Sequence, residues 1–382
     1  MSAYLQLGHE SWSLLDEPAL ADFKGIVLSP VNDTPEYVEE RLKRLKERRD
    51  DYEIILDPQF YNPASNKAKL TQWSFFPSDF ETAVGESLDW WAPRAKAVVE
   101  QAVTLGFDAV CSPIRIPKVF TSEYYAHAMT VADLTCEYAE DTGVDVLATL
   151  IVRMKDLSNP QKAFEIASIM SRGASERVYI IFFDDLPQRE PFDDSEALPT
   201  AVHLIRLLTG QGLRVHVAFC AHDVVLWKHA GAADISSGKW MNVRRFSPGR
   251  WEEEETGGRQ VPYWNEGPLF TLLREQDVKR LDRDGWFKSR RFSANPSGEQ
   301  ILEIIRSGAG TPWQKLSWLQ YLRWTSNAEA LFSKPEAAER YLERADSLWT
   351  DLQLKKILLI DRFNDGSWVR IWLNAIREGG TR

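Results

Sequence analysis

Between Leu213 and Phe246 the chain writes out one pattern twice. The apolar run LRVHVAFC ends at Cys220 and is followed by AHDVVLWKHAGA, a short amphipathic stretch opening on a polar turn. A second run, 233–237, empties into a loop carrying Gly238, Lys239 and the pair Arg244 and Arg245. Strand, helix, strand, basic glycine-containing loop is the form of the last two units of a closed parallel barrel, where such loops commonly hold phosphate. Six similar strands must then precede it.

They are present. Apolar, β-branched runs stand at 4–8, 25–29, 52–56, 107–111, 144–151 and 178–183. Helical periods fill most of the gaps, at 35–49, 92–105, 122–140, 160–171 and 198–208. The first of these helices opens on Thr34-Pro35-Glu36, a capping threonine with proline in the first turn. Regular alternation of this kind predicts the α/β class and a (β/α)8 TIM barrel over residues 1–245. The alternative is an open doubly wound sheet. That fold wants a glycine-rich turn after its first strand, where this chain has Gly8-His9-Glu10-Ser11.

Two stretches fall outside the alternation. Residues 62–88 carry Trp73, Phe75 and Phe76 without a clean period, which reads as a lid, a binding loop or a partner surface. Residues 246–296 form a basic, aromatic connection, and 297–382 read as a helical C-terminal extension packed on the barrel. A length of 382 residues with 44% hydrophobic content supports a full core. Three scattered cysteines make neither a zinc cluster nor a disulfide framework, so a cytoplasmic, reducing setting is expected. No apolar run is long enough to cross a bilayer, so no membrane partner is expected.

In a barrel the residues just past the strands converge on one face. Here they include His9 and Glu10, Asp57 and Gln59, Arg115, Arg153, Asp184 and Asp185, His222 and Lys239. The mixture suits a small anionic or nucleotide-like substrate. Arg115, Arg153 and Lys239 would clamp the anion, with His9, Gln59 and His222 beside it. Asp57 would be the general acid or base, Asp184 or Asp185 the second carboxylate, and Glu10 a further acid. An ion-pair network across the mouth is the structural alternative. Asp184 and Asp185 are neighbours, so on a regular strand they cannot both face inward. Asp223 is expected to cap the helix that starts at Val224. His9, Asp57, Asp184 and His222 are chemically fit to bind a metal, but no HxH or HExxH spacing supports one. No metal and no cofactor is expected.

Residues 239–292 hold 12 basic and nine acidic side chains in a chain of net charge −10. Within them Trp240-x-x-x-Arg244-Arg245-Phe246-Ser247 is echoed by Trp286-x-x-x-Arg290-Arg291-Phe292-Ser293. Arginine pairs beside rings suit a nucleic acid, through phosphate contacts and base stacking. The weightier reading makes the rings core and pairs the arginines with Glu252–Glu255.

Ile55-Leu56-Asp57-Pro58-Gln59-Phe60, Gly106-Phe107-Asp108-Ala109-Val110 and Gly231-Ala232-Ala233-Asp234-Ile235 with Ser236-Ser237-Gly238 fall in an order that resembles the tRNA-guanine transglycosylase superfamily of barrels. The resemblance implies glycosyl transfer or hydrolysis at an N-glycosidic bond, with Asp57 catalytic. The chain departs from that family where its nucleophilic aspartate would fall, at Ser236 or Ser237, and it lacks the zinc-binding cysteines. The competing expectation is a non-catalytic barrel that binds or assembles with a protein partner through the aromatic insertion or the tail.

Overall fold

The computed structural model describes residues 2–78, 80–81, 87–252, 261–288, 295–334 and 336–380. Eight parallel strands close into a barrel in chain order. They are β1 Ser2–Gln6, β2 Gly25–Leu28, β3 Glu53–Leu56, β4 Ala109–Cys111, β5 Asp145–Arg153, β6 Arg177–Phe183, β7 Arg214–Val217 and β8 Asp234–Ser237. The ring is completed by β1 against β8, with Tyr4 opposite Ser236. β6 is buried along its whole length, as a strand covered on both faces must be, which explains its unbroken apolar run.

Helices α1 Pro35–Leu45, α2 Leu88–Leu105, α3 Ser122–Ala139, α4 Gln161–Met170, α5 Ala197–Gly210 and α6 Val224–His229 link successive strands from β2 onward. Thr34 caps α1 and Thr121 caps α3 through their side-chain oxygens. Gly106, left-handed at φ +69°, stops α2. Two expectations need correcting. The first helix ends at Leu45 because Lys46 turns to φ +49° and a 3-10 segment follows. β7 ends at Val217 because Phe219 adopts φ +56°. No α-helix joins β1 to β2. Two 3-10 turns do so, held by buried Trp12, whose indole donates to Asp33 at 3.0 Å.

The rings of the aromatic insertion are interior. Trp73, Phe75 and Phe76 are buried, Phe60 contacts Phe75, Phe76 and Trp91, and the Trp73 indole donates to the Asp33 carbonyl at 2.9 Å. These rings are therefore not presented to a partner, which corrects that expectation.

After the barrel come a hairpin, β9 Trp264–Glu266 with β10 Thr271–Leu273, and helices α7 Glu275–Arg283, α8 Pro296–Ser307, α9 Gln314–Phe332, α10 Ala337–Leu354 and α11 Ser367–Glu378. This tail is fastened at defined points. Lys228 on α6 and Glu329 on α9 form a buried ion pair at 2.8 Å, and Lys228 also donates to the Ala233 carbonyl at 2.9 Å. The Trp372 indole donates to the Phe192 carbonyl at 2.7 Å. Tyr321 reaches the barrel rim, 3.0 Å from the Ser237 hydroxyl. Glu266 lies buried with both carboxylate oxygens fed by indoles, Trp264 at 2.8 Å and Trp286 at 3.2 Å. Burial raises its pKa to about 7, against those two hydrogen bonds.

Lys228→Met leaves a buried carboxylate uncompensated and is expected to cost about 3–5 kcal/mol in urea unfolding. The double variant Lys228→Met/Glu329→Leu should recover most of that loss. A raised acid favours the folded state below its unfolded pKa and loses that advantage as pH rises to the folded value. Stability should therefore fall between about pH 4.5 and pH 7 through Glu266, and Glu266→Gln should flatten that part of a thermal-melt pH series.

Candidate functional site

Polar side chains on alternate strand positions project into the barrel, and contacts between non-adjacent strands show how they stack along its axis. At the N-terminal end Tyr4 of β1 hydrogen-bonds Glu53 of β3, and Arg177 of β6 meets Glu53 at 2.5 Å and Asp145 of β5 at 2.7 Å. Burial opposes the Glu53 charge, but Arg177 outweighs it and holds the carboxyl below its usual range. His216 lies between the rings of Tyr4 and Tyr179, and burial pushes its pKa down to about 4. This floor is matched charge around a neutral imidazole whose two ring nitrogens make no hydrogen bond. One layer up, the Gln6 amide oxygen accepts from Tyr179 at 3.2 Å and Ser236 at 2.8 Å.

The C-terminal layer is not matched. Asp57, just past β3, is 1% exposed. Its Oδ1 accepts from the Tyr61 hydroxyl at 2.9 Å and the Gln59 backbone N–H at 3.1 Å. Its Oδ2 is buried without a partner. Gln59 turns to φ +56°, and its side-chain oxygen accepts from the Val31 N–H. Burial raises the Asp57 pKa to about 7, with the hydrogen bonds from Tyr61 and Gln59 and the charge of Arg250 opposing.

Arg250 arrives from above, on a 3-10 turn, Pro248–Trp251. All three of its guanidinium nitrogens are buried with no hydrogen-bond partner. Burial pushes its pKa down to about 10, with Asp57 the strongest charge acting the other way. The same turn roofs the mouth: Tyr61, Phe246 and Trp251 pack with centroids 4.9–5.2 Å apart, and Ser65 donates to the Trp251 carbonyl at 2.7 Å. Gln6 Nε2, Ser29 Oγ, Asn32 Nδ2 and Gln59 Nε2 are also buried and unpaired. Native interiors leave few polar atoms in that state, and each asks for an occupant.

Of the residues singled out from sequence, Asp57 and Gln59 belong to this group of buried, incompletely bonded side chains. The others stand elsewhere. His9 and Glu10 are exposed, and only their backbone carbonyls are used, by the Trp240 indole and by Lys239, both at 2.7 Å. The Lys239 amine sits 4.5 Å from the Trp318 ring centroid and 4.9 Å from that of Trp240, and burial lowers its pKa to about 8. Arg153 pairs with exposed Asp185 at 2.8 Å, and Asp184 accepts from the Asp185 N–H. Arg115 is half-buried near Tyr124 and His127, and burial lowers its pKa. His222 is buried, 2.6 Å from Asn265, and burial brings its pKa down to about 4. Asp223 makes no cap of α6; it accepts from the Ala221 N–H at 2.6 Å.

The arginine pair is interior too. Arg244 lies 3.4 Å from the Tyr321 centroid and donates to the carbonyls of Gly238 and Lys239, and Arg245 lies 3.7 Å from the Phe192 centroid. At 4% and 3% exposure they offer no surface to a nucleic acid. Arg290 and Arg291 lie outside the described residues. Among the described residues, no group of three or more His, Cys, Asp or Glu side chains is placed to hold a metal ion. Arg250 escaped the sequence reading because nothing in Pro248-Gly249-Arg250-Trp251 is periodic. Its one signal was its place in the basic loop after the last strand.

No protein-family model matches the chain, and no curated protein matches it. Among solved structures it is similar to L-ribulose 3-epimerase, at 12% identity over 90% of this chain and 97% of that one, TM-score 0.39. It is also similar to a D-tagatose 3-epimerase-like protein, at 16% identity over 62% and 90%, TM-score 0.34. A third is D-psicose 3-epimerase from Clostridium cellulolyticum, at 12% over 64% and 90%, TM-score 0.34. Two of these are named as sugar epimerases and one as epimerase-like, and the expected resemblance to tRNA-guanine transglycosylases is corrected accordingly. The matching loop order has local causes. Asp108 accepts from the Ile54 N–H at 2.7 Å and binds Arg49, Asp234 pairs with Arg214, and Gly238 stands where an added Cβ would come 2.4 Å from the Gln6 carbonyl. Any tightly closed barrel has use for such residues.

The Asp57 pKa can be read from its side-chain carboxyl carbon in an NMR titration. Tyr61→Phe removes a hydrogen bond to the ionised form, so the midpoint should move above that of the wild type. Because the Asp57 pKa is raised on folding, its stabilising contribution is present at low pH and is lost between about pH 4 and pH 7.

Proposed function

We propose that this barrel is an enzyme that encloses a small polar molecule in the chamber at its strand ends and moves a proton with Asp57. The observation that carries the proposal is a buried carboxyl with one oxygen held and the other unpaired, its pKa raised by burial to about 7. A general acid or base works best when its pKa lies near the operating pH. Tyr61 and the Gln59 backbone hold Oδ1, so Oδ2 is the atom that gives or takes the proton. The position is also the usual one, since barrel active sites lie at the C-terminal ends of the strands.

A second reading has its own observation. The roof of Tyr61, Phe246 and Trp251 closes the mouth over Asp57, as a barrel serving only as a structural or binding component would. The two readings part on turnover. Small hydroxy ketones and keto acids, incubated with the protein in deuterium oxide, should exchange a carbon-bound hydrogen. Asp57→Asn should slow that exchange by about a hundredfold or more while the protein stays folded. No exchange with any compound, or equal exchange by the variant, would favour the non-catalytic barrel.

A further inference from the structure

The unpaired atoms of the chamber are unequal in kind. A guanidinium carries five N–H donors and a primary amide nitrogen two. Arg250, Gln6, Gln59 and Asn32 all present buried nitrogens with nothing to donate to. The unpaired oxygens at the same strand ends are Asp57 Oδ2 and the Ser29 hydroxyl. A ligand that satisfied this chamber would be rich in acceptors and poor in donors. It would also be negative, because a buried charge needs a contacting counter-charge. Arg250 has no such contact: its hydrogen-bonding nitrogens are empty although Asp57 acts on it from a distance. The other buried arginine of the lumen makes the contrast, since Arg177 is spent on Glu53 and Asp145.

We infer that the enclosed molecule bears an oxyanion, a carboxylate or a phosphate group, and that Arg250 is the residue that selects it. The inference rests on reading the chamber as a substrate site and adds the class of substrate. The planar fork of the guanidinium matches two oxygens of either group. Arg250 enters from the roof and Asp57 from the strand end, so the ligand bridges them. An oxyanion beside Arg250 takes over the charge that opposes protonation of Asp57. Binding near neutral pH is therefore accompanied by proton uptake at Oδ2, which then donates to the ligand.

Titration calorimetry with malate, inorganic phosphate and erythritol tests this on the full chain. Malate or phosphate should bind and erythritol should not, and the stronger of the two anions identifies the source of the oxyanion. The apparent heat should vary with buffer ionisation enthalpy in the sense of proton uptake. Arg250→Met should weaken anion binding by about a hundredfold, Arg250→Lys by less. The unliganded Arg250→Met protein should melt no lower than the wild type, since the side chain it loses makes no hydrogen bond. Erythritol binding as tightly as the anions, full anion binding by Arg250→Met, or no binding of either anion overturns the inference. Asp57-dependent exchange of a neutral hydroxy ketone, indifferent to Arg250, would remove the oxyanion and leave the role of Asp57 standing.

Discussion

The hydrogen bonds between β1 and β8 are what the rest of the molecule depends on. Ser2 through Leu5 lie in register with Asp234 through Ser237, and this one ladder turns a sheet with two edges into a ring with none. Closure obliges every polar residue on an inward position to find its partner across the lumen rather than in water. At the N-terminal end the charged groups meet that demand inside the protein, with Arg177 shared between Glu53 and Asp145, and the His216 ring left without a hydrogen-bond partner is held neutral by burial. At the C-terminal end a carboxylate oxygen of Asp57 and the whole guanidinium of Arg250 are left unpaired, and that difference in charge between the two ends locates the candidate site.

Two buried acids show why a raised pKa alone does not mark chemistry. Burial lifts both Asp57 and Glu266 to about 7. Glu266 has an indole on each oxygen and nothing further to bind, so it is a packing element of the tail. Asp57 keeps one oxygen without a partner, within electrostatic reach of a guanidinium in the same condition. What separates them is unfilled hydrogen-bonding capacity. The same comparison separates Arg250 from Arg244, whose guanidinium is stacked on Tyr321 and bonded to two carbonyls.

The fold was legible because its signals are local and repeated. Runs such as 178–183 and caps such as Thr34 state a strand or a helix start without reference to distant residues. Asp57 was legible for the same reason, being a carboxylate directly after a strand. The remaining strand-end list divided by orientation, which a list of types does not carry: Lys239 turned into two indoles, Arg153 turned outward to Asp185, and His9 lent only its carbonyl. Arg244 and Arg245 looked like a surface because arginine is seldom buried, and here aromatic faces from the tail and the β6–α5 loop cover them. Arg250 was illegible because its nearness to Asp57, almost two hundred positions earlier, is a long-range fact with no local pattern.

Closure between the first and last strands also orders events in time. β1 gains its second neighbour only when residues 234–237 exist, more than two hundred positions later in the chain. At synthesis rates of about 5–20 residues per second, that wait is on the order of ten to fifty seconds. Throughout it the Tyr4 edge is an unsatisfied template of the kind that invites wrong pairing. Tyr321 of α9 contacts Ser237 and Cys220, so this part of the tail has no landing place until the ring has shut. The C-terminal helices are thus late arrivals that lock a seam, and slow formation is built into a topology whose decisive contact is also the most distant pairing among its barrel strands.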